Sequence, residues 1–153
     1  MDTLPACGLY RTTRPLGESV PADSLVYFHN HGEPGPGVYL PSGWTDNRAT
    51  FHEKGTSLVD LSWAGTLEPL AAEGLYRVVE PFTCCEKQCR AFESDLLVQL
   101  GYDGAARPLL FVPQWTADGL RFPKAGAPLA ANRLASLKPV KVANAPDAGS
   151  SLH

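Results

Sequence analysis

Nowhere in these 153 residues is there an apolar run near the roughly 18 residues a membrane-spanning helix requires. Basic residues are scarce as well. Thirteen Lys and Arg against sixteen Asp and Glu leave a net charge of −3, which argues against a nucleic-acid binder with a basic stripe. The first residues, Met1-Asp2-Thr3-Leu4-Pro5, carry neither a basic segment nor an apolar core and do not read as a signal peptide. Together these absences predict a cytoplasmic protein that engages neither membrane nor nucleic acid. Cysteines number only four, and in that compartment they are expected as thiols or metal ligands, not structural disulfides. Catalytic signatures are missing too: there is no nucleophile elbow, no phosphate-cradling glycine loop and no dinucleotide fingerprint. Glu33, Asp46, Glu53 and Asp60 are scattered among turn signals, with no spacing that sets two of them in one cleft.

What the chain does have is glycine and proline, fourteen of each, and they fall mostly between short apolar runs. That punctuation predicts strands at Leu9–Thr13, Leu25–His31 and Val38–Pro41, the last two forming a hairpin across a Gly- and Pro-rich turn. A second hairpin is predicted from Leu96–Leu100 and Leu109–Val112 across Gly101-Tyr102-Asp103-Gly104.

The chain also repeats itself. Gly8-Leu9-Tyr10-Arg11 returns as Gly74-Leu75-Tyr76-Arg77, 66 residues later. Leu25-Val26 then answers Leu97-Val98, Trp44-Thr45 answers Trp115-Thr116, and Phe51, Gly55 and Leu58 answer Phe122, Gly126 and Leu129. The later pairs lie 71 to 72 residues apart, so the second copy carries about five extra residues, around Cys84, Cys85 and Cys89. Each copy reads as short strands, a helical turn (Leu67–Leu70 and Leu134–Leu137) and a closing strand, which is the plan of an SH3-like barrel. The expected fold is therefore all-β and internally duplicated, with two small SH3-like β-barrel units packed together. One pseudo-twofold β-barrel is the alternative. The first unit is expected over 1–72, the second over 73–142, and a disordered tail over 143–153. Gly55 and Gly126 are expected at turns that need positive φ.

Comparing the copies separates scaffold from addition. Trp44 and Trp115 suit either a core position or an interaction anchor, and Tyr39 lies in the same aromatic hairpin region. Arg11 and Arg77 suit a salt bridge or an anchor for a partner's carboxylate. These five residues are the candidate partner-binding set. Cys84, Cys85 and Cys89 have the spacing of half a zinc site, with Cys7 or a histidine (His29, His31 or His52) as the missing half. The vicinal pair Cys84-Cys85 also suits thiol redox chemistry. His29 and His31 alternate in a predicted strand, so both imidazoles face the same way.

Three functions follow. The first is a non-enzymatic interaction or adaptor module that binds a protein or peptide and has strand edges able to form a homo-oligomer. The second is a zinc-binding or thiol-based regulator built on the cysteine cluster. The third is a small metal-dependent hydrolase using His29 and His31.

Overall fold

A computed structural model of the chain describes residues 4–31, 35–84 and 90–143. The protein is all-β, with two short 3-10 turns as its only helical elements among the described residues. Seven strands come first: β1 (Gly8–Arg11), β2 (Leu25–His29), β3 (Gly37–Tyr39), β4 (Pro41–Thr45), β5 (Arg48–Phe51), β6 (Thr56–Ser57) and β7 (Glu68–Pro69). Nine follow: β8 (Gly74–Val78), β9 (Phe82–Thr83), β10 (Ala91–Phe92), β11 (Leu97–Tyr102), β12 (Pro108–Phe111), β13 (Gln114–Thr116), β14 (Gly119–Arg121), β15 (Ala127–Pro128) and β16 (Leu137–Pro139).

They form two five-stranded antiparallel sheets, ordered β6-β3-β2-β1-β7 and β15-β12-β11-β8-β16. Neither sheet's edge strands pair with each other among the described residues. The pairs β4–β5, β13–β14 and β9–β10 stand as separate two-stranded ribbons. The two large sheets share a register. Tyr10 lies opposite Val26 and Tyr76 opposite Val98. Val38 lies opposite Thr56 and Leu110 opposite Ala127. Pro69 and Pro139 lie opposite Tyr10 and Tyr76.

Local devices recur with that register. Tyr10 donates its hydroxyl to Ala6 O at 2.7 Å, and Tyr76 to Ala72 O at 2.6 Å. Asp23 and Asp95 both take positive φ just before the second strand of their sheets, and they pair with Arg11 and Arg77 respectively. Arg11 also meets Glu68. Both guanidiniums are therefore engaged within the chain. Exposed pairs of this kind contribute little stability and mainly hold the turn in place.

Several elements differ from the expected ones. The first 3-10 turn runs over Leu61–Thr66, not Leu67–Leu70, because Asp60 caps it by accepting Ser62 N at 3.0 Å. Glu68–Pro69 is then the closing strand of the first sheet, and Gly74–Val78 belongs to the second sheet alone. Gly101 and Tyr102 extend β11 and do not form its turn. Gly55 and Gly126 are not among the positive-φ residues. They are needed for close approach instead: a Cβ on Gly55 would lie 2.5 Å from Val38 O, and one on Gly126 would lie 2.9 Å from Leu109 and the Phe111 ring. The expected tail lies outside the described residues, apart from Ala143.

Two cores result. Tyr10, Val20, Val26, Phe28, Val38, Ala64 and Leu67 fill the first, with Tyr10 edge-on to Phe28. The second gathers Tyr76, Val78, Cys84, Phe92, Val98, Leu100, Tyr102 and Leu110. Leu25 crosses over. It sits in β2 of the first sheet, yet its side chain is buried in the second core and its N–H donates to Gly104 O at 3.0 Å.

The β4–β5 ribbon makes the other half of this junction. Its turn residues Asp46 and Asn47 both take positive φ, the geometry of a two-residue hairpin turn. The turn lies on β11, where buried Gln99 donates to Asp46 O and accepts from Asn47 Nδ2, each at 3.0 Å. Trp44 Nε1 donates to Tyr102 O at 2.8 Å, and Tyr102 donates its hydroxyl to Ala71 O.

Glu73 closes the back of the ribbon by accepting Ala49 N at 2.9 Å. Burial raises its carboxyl above the ordinary value, against the lowering effects of that N–H and of Arg48. The folded state thus holds the Glu73 proton more tightly than the unfolded chain does. This part of the stability is present at low pH and is lost as pH rises through the raised value. Denaturation midpoints in urea, measured from the ordinary glutamate range upward, should show that decline, and Glu73→Gln should flatten it.

Candidate functional site

Two features set the halves apart, one where the second sheet accepts the first ribbon and one at the open end of β1 and β2 in the first sheet. On β11 the residues facing that ribbon are Gln99 and Gly101, two apart and so on one face. The absence of a side chain at 101 matters, because a Cβ there would lie 2.7 Å from Asn47 O. In the shared register the first sheet has Tyr27 and His29 at these places. The second ribbon, β13–β14, therefore has no matching seat on the first sheet.

The consequence shows in the tryptophans. Trp44 is 45% exposed, with its indole nitrogen held by Tyr102 O. Trp115, its counterpart, is 83% exposed. Trp115 lies directly opposite Leu120 in the ribbon, so the two apolar side chains share a face. Leu120 continues into a cleft of about 790 Å³ that Trp44, Leu75, Arg121 and Lys124 also line. Tyr39, the remaining predicted aromatic, is half-buried in β3.

The second feature is a cluster of metal-type donors. Gly8 pairs with Phe28, so Cys7 falls across from His29 at the open end of β1 and β2. His31 follows two residues on. One donor atom from each of Cys7, His29 and His31 lies within 4.8 Å of the others. Cys7 Sγ is 3.7 Å from His31 Nδ1, and the two imidazole rings lie 4.2 Å apart, centre to centre.

Asn30 ties the group together. Its N–H donates to Cys7 Sγ at 3.3 Å, while its Oδ1 accepts the Cys7 thiol at 3.3 Å and lies 2.7 Å from His31 Nδ1. Its Nδ2 is fixed on Pro5 O at 2.9 Å.

Of the cysteines expected to form a site with Cys7, Cys84 is buried in the second core, and Cys85 and Cys89 lie outside the described residues. His52 is exposed and does not join the group. The sequence pairs His29 with His31 and offers Cys7 to the Cys84, Cys85 and Cys89 cluster, but it does not bring Cys7 to the two histidines. The missing signal was the antiparallel register, which the repeated Gly-Leu-Tyr-Arg strand facing Leu25–Phe28 makes available.

Comparison of the chain with family models, with curated proteins and with solved structures finds no match in any of the three. Among the described residues no helix is long and apolar enough to cross a membrane.

Proposed function

We propose that the chain is a non-enzymatic interaction module, two SH3-like units in tandem, that takes an apolar segment of another protein along its second ribbon. The repeated five-strand order, with a 3-10 turn before the last strand in each half, supports the tandem reading. The binding reading is carried by one contrast. A tryptophan at the same place in the same ribbon is a docking element in the first half and stands in solvent in the second. Exposed tryptophan is a costly surface residue and a common hot spot of interfaces.

The segment that fits runs from Trp115 over Leu120 into the cleft beside Trp44. A carboxylate on it would suit Arg121 and Lys124, which meet no acidic side chain among the described residues. Strand-edge addition is a further route to an oligomer.

The test is affinity capture with the full chain, followed by titration of the purified partner against wild type and variants. Trp115→Ala should weaken binding on the order of 30-fold, the size of a hot-spot loss, while the thermal midpoint stays unchanged. Undiminished binding by that variant would remove the ribbon from consideration.

A further inference from the structure

We infer that Cys7, His29 and His31 form a zinc site, with Asn30 as the residue that positions its donors. The inference stands on this cluster alone and does not depend on the partner proposed above.

The donors are of the kind zinc takes, one thiolate and two imidazoles. A tetrahedral zinc with Zn–S near 2.3 Å and Zn–N near 2.05 Å places its sulfur and nitrogen donors about 3.6 Å apart. One donor atom from each of the three side chains lies within 4.8 Å of the other two. Cys7 and His29 are half-buried and His31 is exposed, so the ion is reachable from solvent.

Asn30 supplies what bare donors lack. Its backbone N–H and its Oδ1 both meet Cys7 Sγ at 3.3 Å and fix the sulfur's place beside the imidazoles. A His31 proton on Nδ1, shared with Asn30 Oδ1, leaves Nε2 with the lone pair a metal needs. Pro5 O holds the Asn30 amide in its orientation. Three protein donors leave one place in a tetrahedral shell, to be taken by water or by a donor atom of a small ligand.

The position within the fold points the same way. His29 stands in the register place of Gly101, where the second sheet makes room for a ribbon. In the first sheet that place carries an imidazole, and its neighbours Cys7 and His31 converge on it.

Protein purified under reducing conditions and freed of metal should bind one equivalent of Co2+, with a thiolate-to-metal absorption band that Zn2+ displaces. Cys7→Ser should abolish the band. His29→Gln and His31→Gln should each weaken binding by on the order of 100-fold or more, and Asn30→Ala by about 10- to 100-fold. The double variant Cys85→Ser/Cys89→Ser should keep the band. A second reading needs no variant: on adding Zn2+, the imidazole NMR signals of His29 and His31 should shift while those of His52 and His153 stay. Three results would each overturn the site: a band that survives Cys7→Ser, a band lost in the Cys85/Cys89 variant, or Zn2+ leaving His29 and His31 unmoved.

Discussion

Replacing Leu25 with Ala is expected to destabilise the whole protein by about 2–5 kcal/mol, in one unfolding transition. Leu25 is fully buried, and it is a residue of the first sheet that packs in the core of the second. Removing its side chain leaves a cavity in the second core, and the N–H bond to Gly104 O limits how far β2 can move in to fill it. The cost of such a cavity depends on how well the site collapses, and a site pinned from two sheets collapses poorly. If the halves were independent, the first would melt early and the second would keep its midpoint. Circular dichroism and tryptophan fluorescence in urea distinguish the outcomes, because Trp44 and Trp63 belong to the first half and Trp115 to the second.

Gly101→Val should have the next largest effect, about 1–3 kcal/mol or more, and should act on the junction before the sheets. A Cβ at 101 would sit 2.7 Å from the backbone oxygen of Asn47 and 3.2 Å from the Phe111 ring. Backbone cannot swing aside as a side-chain tip can, so the β4–β5 turn must lift from β11. Gln99 would then exchange both of its bonds to the turn for water, a net loss of about 0.5–1.5 kcal/mol for each. The readout is amide exchange at Asp46 to Thr50, which should accelerate far more than exchange within β8 or β11. If exchange rises evenly across the protein, the ribbon is not the weak point.

Much of the sheet plan was legible in local chemistry. The β2–β3 and β11–β12 hairpins follow from apolar runs fenced by Gly and Pro, and the all-β class follows from their spacing. Failures came where a distant partner decides the local state. Tyr102 reads as a turn residue beside Gly101, yet its ring is buried and its hydroxyl reaches Ala71, thirty-one residues away. That burial also raises its phenol well above the ordinary tyrosine range. Gly55 and Gly126 read as turn glycines, but crowding from Val38, Tyr39 and Phe111 is what excludes a side chain there. Leu67 and Leu70 read as the helical turn, yet the 3-10 turn lies just before them at Leu61–Thr66, where Asp60 accepts the Ser62 N–H and starts it. The Cys7 cluster could not be assembled from spacing, since register alone brings residue 7 to residues 29 and 31.

The ribbon-on-sheet contact joins two different surfaces, the turn of one half and the open face of the next. A contact of that kind can in principle be copied without end, chain upon chain, into a filament. Here the two halves do not offer the same surfaces. The face that a following copy would have to offer carries the His29 imidazole where the seat requires no side chain, and the turn it would receive is Ala117-Asp118 in place of Asp46-Asn47. The histidine at the glycine's place and the changed turn together deny the second ribbon, on the first sheet, the seat that the first ribbon has on the second.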